Sequence, residues 1–451
     1  MVPGILGSRL ARRDAEGKLT EIWGTGALRL AKNLATFGRA IKGLAVELPD
    51  GKEVPDDGVE ATGVITDLAV VPGFLAVAGY DGLVARLENE LRPGQVVAFA
   101  YDWRLSNRLN GERFAHYLER ELEDWRKLSG RGARAVVIAH SMGGLVARWA
   151  IEVGAAHRHV SRLITLGTPF RGAAAALDAL ANGVRLPAHI GPRFDAVVES
   201  FPSVRELLPT YRCVRCPPAS ELQSLGEAGV VKRAWVDDGL AFHDALADAV
   251  ATRDPARTDE LIPLVGNAQA TPTTAVLDAK GRLRMFTTID ATERGRDWLG
   301  DGTVPSDSAA PPEWDANRVR STARPNGQQH ASMQVSEQAW RELGWLLWDR
   351  PRLRDGEVRL GLRVPDVAPA GAPLTVNIDG PTGLGLVVEA VGIDGVDPYR
   401  ATVYRRDGDG GYEATLCDLP PDVYTVSVRP FDRRAKPVEE LSTVVTVYTE
   451  D

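Results

Sequence analysis

Apolar residues follow two different rhythms along this chain. Over roughly the first 350 positions they gather in short unbroken runs: QVVAFAY (95–101), ARAVVIAH (133–140), VSRLITLGTPF (160–170) and ELIPLVGN (260–267). Unbroken runs of this length predict strands covered on both faces. Between them the apolar positions recur at three and four, in LVARLENELR (83–92), at Phe114, Tyr117, Leu118, Leu122 and Trp125, and in GGLVARWAIEV (143–153). That spacing predicts amphipathic helices, the second ending near Ser129 and Gly130. Alternation of the two patterns predicts a parallel sheet with helices on both faces, the α/β class.

The pattern breaks between about 172 and 258, where short helical pieces mix with prolines; this predicts an insertion lying over the strand ends. A hairpin pattern follows in TTAVLDAKGRLRMFTT (273–288), with its turn at Asp278–Gly281. A helix over 336–350 is stopped by Pro351. Residues 1–60 read as rich in glycine and turns, with Trp23 among them. From about 356 the helical spacing is gone. Seven short alternating runs, VRLGLRV, LTVNI, LVVEAV, RATVYR, YEATL, VYTVSVR and STVVTVYT, are separated by glycine, proline and aspartate. They predict a small all-β sandwich over 356–451, following a first unit of 1–351.

Composition narrows the function classes. A chain of 451 residues with 44% hydrophobic and 25% charged residues is a folded, soluble protein of two or more units. The net charge is −8 and no lysine or arginine block is long enough for a phosphate stripe, which argues against nucleic acid and against binding anionic lipid by bulk charge. Three cysteines do not make a disulfide framework and suit a reducing compartment. Cys213 and Cys216 have the spacing of half a zinc site, but two further ligands at similar spacing are missing, so two free thiols are expected. No run of about 18 apolar residues and no signal-peptide pattern is present, which predicts a cytoplasmic protein as written; a start further upstream would reopen that point.

The candidate chemistry begins at VVIAHSMGGL (136–145). A strand, a small residue, Ser141, Met142, a glycine and then a helix is the nucleophile-elbow pattern: a turn so tight that Ala139 and Gly143 must be small. It holds Ser141 at a helix N-terminus, where N–H groups and the helix dipole favour an oxyanion. The plainer reading is a capping serine. A serine needs a base oriented by an acid, and on this fold the chain order is Ser, Asp or Glu, then His. His189, His243 and His330 follow Ser141 with room for an acid, and His330, in the polar loop NGQQHASM, best suits a strand-end base. Asp290, Asp297, Asp301 and Asp307 are the acid candidates; the GDGTVP stretch (300–305) lets Asp301 turn sharply, although a plain Asp-Gly turn reads equally well. His140 reads as a packed structural histidine, and His116, His157 and His159 as surface residues.

In order along the chain, VPGILGS (2–8), YDWRLS (101–106), AHSMGG (139–144), LGTPFRG (166–172), GDGTVP (300–305) and QQH (328–330) resemble the lecithin:cholesterol acyltransferase family. The resemblance covers about 330 residues and implies an α/β-hydrolase with an inserted cap and lid at about 172–258. It implies a triad of Ser141, Asp301 and His330, and oxyanion donors in the N–H groups of Ile5 and Met142. It implies hydrolysis or transfer of fatty acyl esters of phospholipids or related lipids through an acyl-serine, with no metal or cofactor. The partners expected are a lipid or acyl-ester substrate, transient membrane-surface contact through the cap, and a protein partner at the C-terminal β domain. Two readings compete with it: a carboxylesterase or thioesterase on small acyl substrates, and a scaffold whose C-terminal domain recruits a partner.

Overall fold

The computed structural model describes residues 1–24, 42–49, 53–66, 69–71, 75–184, 195–288, 299–348, 360–393, 397–406, 411–431, 438 and 440–449. Four strands, β1 (Ala135–His140), β2 (Val160–Leu166), β3 (Glu260–Gly266) and β4 (Arg324–Asn326), form a wholly parallel sheet in the order β4-β3-β2-β1. The last four residues of each of β1, β2 and β3 are buried without interruption, as strands sandwiched between helical layers require.

Successive residues of these strands serve opposite faces. Ile138, Ile164, Ile262 and Leu264 pack with Leu83 and Leu87 of α1 (Asp81–Glu90) and with Leu343 and Leu346 of a closing helix, Glu337–Trp348. Val137 and Leu163 belong to the other face, with Phe114, Leu118 and Leu122 of α2 (Asn107–Ser129) and Leu145 and Trp149 of α3 (Met142–Glu152). α2 starts where the Ser106 side chain accepts from the N–H of Arg108 and stops at Gly130, whose φ of 65° places it in the left-handed region. Thus the helix ends at the glycine the spacing had indicated.

Three expectations need correction. The QVVAFAY run (95–101) is not a strand. Among the described residues its backbone bonds to Met1, whose carbonyl accepts from Phe99 and whose amino group donates to Val97, while Val2 bridges to Ala139 of β1. Two backbone hydrogen bonds do not make a ladder. The early segment is also more than turns: Ser8–Arg13 lies between Leu19–Trp23 and Val59–Val64 in an antiparallel sheet. The 172–258 stretch contains α4 (Ala174–Asn182) and several helices of four or five residues, but also a 19-residue helix, α5 (Arg233–Ala251). Trp235, Val236, Gly239, Phe242 and Leu246 form its buried stripe, a three-and-four spacing that was present in the sequence.

The hairpin at 273–288 is observed, with Thr274–Leu277 paired to Leu283–Phe286. The Glu337–Trp348 helix, labelled α6, is likewise present, while Pro351 lies outside the described residues. All seven alternating runs in the C-terminal region are strands: β5 (Gly361–Arg363), β7 (Leu374–Asp379), β8 (Leu386–Gly392), β9 (Tyr399–Arg405), β10 (Tyr412–Leu416), β11 (Asp422–Pro430) and β12 (Leu441–Tyr448). An eighth, β6 (Val367–Pro369), lies parallel to β12 and was hidden by Pro365 and Pro369. The strand order is β5-β7-β10-β9-β8-β11-β12-β6. Val388, Val426, Val428, Val445 and Val447 face this region's own core, whereas Val423 and Val444 join the apolar core of the first part of the chain. Among the described residues no helix is long and apolar enough to cross a membrane.

Candidate active site

Ser141 stands between the end of β1 and the start of α3. Its φ of 52° is a left-handed conformation that non-glycine residues rarely adopt, and here its N–H donates to Leu166 and its carbonyl accepts from Gly144 and from the Thr168 hydroxyl. A side chain on Gly143 would strike the carbonyl oxygens of Val2 and Pro3, which is why the elbow needs a glycine there. The hydroxyl of Ser141 lies 2.8 Å from Nε2 of His330.

His330 opens a short helical turn, His330–Val335, after β4. Its Nδ1 lies 2.7 Å from Oδ2 of Asp301. A carboxylate only accepts, so Nδ1 carries the proton and Nε2 is left to accept from the serine. Asp301 is fully buried, its other oxygen accepting from the N–H groups of Thr303 (3.0 Å) and Val304 (2.7 Å), and its carbonyl accepts from the N–H of His330 (2.8 Å). Gly167, at φ 59°, covers the pair: a Cβ there would sit 2.6 Å from Oδ2 of Asp301 and 3.1 Å from Nδ1 of His330. The structure therefore brings Ser141, His330 and Asp301 into one hydrogen-bonded line.

The other described candidates stand elsewhere. His243 lies on α5, where its Nε2 reaches the Glu206 carbonyl, and burial pushes its pKa down to about 4. Asp307 is exposed. His189, Asp290 and Asp297 lie outside the described residues. His116 is exposed, and His157 and His159 are half-buried. Cys213, Cys216 and Cys417 are free thiols, and burial pushes Cys213 up to about 12. Among the described residues no group of three or more His, Cys, Asp and Glu side chains could hold a metal ion.

Ile5 and Met142 flank the serine. Met142 is the first residue of α3, so its N–H has no intrahelical acceptor. Ile5, Ser141 and His330 line a cavity of about 40 Å³ with Ala173, Ala176 and Leu207 of the 172–258 stretch. A larger cleft, about 660 Å³, is lined by paired charges including Arg257, Asp259 and Glu152 and does not include Ser141.

The loop bearing Ile5 is latched by residues whose part the sequence did not disclose. Trp23 Nε1 donates to the carbonyl of Leu6, itself at φ 63°; the Tyr101 hydroxyl donates to Pro3 and Trp103 Nε1 to Ser8. Arg104, fully buried, makes a two-pronged pair with Asp102 and a third contact with Asp57, so YDWR is a fixed knot beneath this loop. His140 does more than pack. Its Nε2 must donate to the carbonyl of His330 (3.0 Å), which leaves Nδ1 to accept from the Tyr80 hydroxyl (2.8 Å), and that hydroxyl accepts from the N–H of Gly4 (2.8 Å). Burial, with His330 alongside, pushes the His140 pKa down to about 3, so it stays neutral. The residue before the elbow thus ties the Ile5 loop to the His330 loop.

Residues 53–237 match the lecithin:cholesterol acyltransferase family. A phospholipid–sterol O-acyltransferase from Arabidopsis thaliana is 30% identical over 149 residues, 30% of this chain and 23% of that one. A phospholipase A(1) from the same plant is 32% identical over 129 residues, 28% of this chain and 26% of its own. The chain thus spans about a quarter of the length of these curated relatives. Among solved structures, a Bacillus licheniformis lipase, BlEst2, in its propeptide form aligns with 15% identity and a TM-score of 0.30 over 70% of this chain and 60% of that one. Its mature form gives 18% identity and a TM-score of 0.29 over 54% and 73%. The family match includes Ser141 and YDWR but neither Ile5, Asp301 nor His330.

Proposed function

Taking this chain as a lecithin:cholesterol acyltransferase-like family member, matched across residues 53–237, we propose that it is a serine-dependent enzyme that hydrolyses or transfers fatty acyl esters of phospholipids or related lipids. The observation carrying this reading is the line Ser141 Oγ, His330 Nε2, His330 Nδ1, Asp301 Oδ2, with separations of 2.8 and 2.7 Å at the rim of a parallel sheet. His330 takes the proton of Ser141 as Oγ attacks the ester carbonyl. The N–H groups of Ile5 and Met142 receive the negative charge on the former carbonyl oxygen. Asp301 keeps the imidazole in the tautomer that leaves Nε2 free and stabilises the imidazolium. His330 then gives its proton to the departing alcohol. Water or an acceptor alcohol, deprotonated in turn by His330, attacks the acyl-serine, and His330 returns that proton to Ser141 Oγ as acid or new ester is released.

The catalytic unit is residues 1–351, its cap the segment at about 172–258, and residues 356–451 form a second unit, a β-sandwich. Ala173, Ala176 and Leu207 from the cap lie against Ser141 in an apolar recess, which favours an acyl chain over a polar substituent. The recess is small, so the cap must move, and this is where transient contact with a lipid surface would occur.

Mass spectrometry of phosphatidylcholine vesicles, with and without a sterol, incubated with wild type and Ser141→Ala tests the reading. Free fatty acid marks hydrolysis and sterol ester marks transfer, and both must vanish in the variant. Turnover of short esters or thioesters alone would instead support a small-substrate esterase.

A further inference from the structure

The loop that carries His330 is gripped by the C-terminal β region. Two positions before His330, the Gln328 amide donates to the carbonyl of Glu440 (2.6 Å); one position before, the Gln329 amide donates to Leu362 (2.6 Å); two positions after, the Ser332 hydroxyl donates to Ser442 (2.9 Å). These three acceptors are backbone carbonyls at β5 and at the start of β12, strands far apart in the order of the C-terminal region. The loop is therefore held by two separate strands of that region.

Gln269 joins this grip to the acid. It lies in a two-residue strand that pairs with Leu299–Gly300, and it bridges to Asp301 itself. Its side chain is almost wholly buried and uses its full capacity: Oε1 accepts from the N–H of Leu362 (2.8 Å) and from Gln329 (3.1 Å), while Nε2 donates to Gly327 (2.6 Å) and Leu360 (3.1 Å). Only one orientation of the amide satisfies four such partners. An amide bonded to both neighbours of Gly361 and to both neighbours of Gln328 makes the separation between the β region and the His330 loop a fixed quantity.

We propose that the C-terminal β region is a positioning element of the active site: acting through Gln269, Gln328, Gln329 and Ser332, it sets the loop that presents His330 to Ser141. The proposal rests on the serine-hydrolase reading above. The C-terminal β region is then part of the catalytic apparatus, although among the described residues what it gives the His330 loop is backbone carbonyls and no catalytic residue. Geometry of this kind matters because displacing a reacting group by about 1 Å can cost about 10²-fold in rate.

The test uses the full chain and compares wild type, Gln269→Leu, Gln329→Ala, Ser332→Ala, Ser141→Ala and, as a control in the same β region, Tyr404→Ser at an exposed position. The measurements are kcat and KM on a short nitrophenyl ester, the second-order rate of fluorophosphonate labelling, and the thermal midpoint. Gln269→Leu and Gln329→Ala should lower kcat and labelling together by about 10- to 100-fold, with KM within about twofold and a folded protein throughout. Ser332→Ala should show a smaller fall of the same form, and Tyr404→Ser none. Should Gln269→Leu fail to fold, Gln329→Ala and Ser332→Ala decide. Wild-type kcat and labelling in those two folded variants would overturn the proposal while leaving the hydrolase reading intact. A wild type that labels no better than Ser141→Ala would remove that reading, and this proposal with it.

Discussion

The parallel sheet and the C-terminal β region are both built from strands, but they present themselves in opposite ways. β1 ends in four consecutive buried residues, and its neighbours do the same. β8 alternates strictly between buried and less buried positions. A strand hidden on both faces can offer chemistry only beyond its end, and Ser141, Gly167 and the Asn326–His330 loop all lie just past the ends of β1, β2 and β4. A strand hidden on one face has a second face to spend. β11 and β12 spend part of theirs, Val423 and Val444, on the core of the first region, and the approach to β12 supplies carbonyls to the His330 loop. On the proposed reading, one region holds the reactive side chains and the other the frame around one of them.

This division predicts where substitutions hurt activity and where they hurt little else. Ser141→Ala should lower turnover by about 10⁴- to 10⁶-fold at unchanged thermal midpoint, since removing the nucleophile of a cooperating set costs nearly the whole effect. Asp301→Asn should lower kcat by about 10⁴-fold, because an amide can donate to Nδ1 and so favour the wrong imidazole tautomer. His140→Leu leaves the Tyr80 hydroxyl and the His330 carbonyl without their shared partner. It should cost about 1–3 kcal/mol of stability in urea unfolding and reduce kcat as well, blurring the division because this residue serves both.

The smallest effect expected is on acid stability. Folded His140 and His243 titrate near about 3 and about 4, against about 6.5 when unfolded, so below pH about 6.5 the unfolded chain binds protons that the folded one refuses. Stability then falls as pH drops from about 6.5 towards 4. Burial pushes Glu206 up to about 7, which opposes this by letting the folded state take up a proton between about 4.5 and 7, but two histidines outweigh one carboxyl. Urea midpoints at pH 7.5 and 5 should show the decline, and His243→Gln should make it shallower.

Much of the first region was legible because its signals are local. An apolar run, a serine and a glycine identify the elbow, and the three-and-four spacing from Phe114 to Trp125 identifies α2 to its terminal glycine. What escaped depends on distant partners. QVVAFAY looks like a strand, but whether it becomes one depends on the backbone that pairs with it, and among the described residues that is two hydrogen bonds with Met1. His140 could be read as packed but not as bridging Tyr80 to His330, since that requires residues 60 positions before and 190 after. Asp301 was one of four acids by spacing, and the hydrogen bond that singles it out is tertiary. Gln269 carried no signal at all; a buried amide is recognised by its partners and not by its neighbours in sequence.

The central claim is that Ser141 is made reactive by His330 under the orientation of Asp301. Intact-mass analysis after exposure to a fluorophosphonate probe tests it directly, using wild type, Ser141→Ala and His330→Ala. The account predicts one adduct on wild type that maps to Ser141, none on Ser141→Ala, and labelling slowed by several orders of magnitude on His330→Ala. Equal labelling of all three proteins, or an adduct on wild type that maps to another residue, would contradict it.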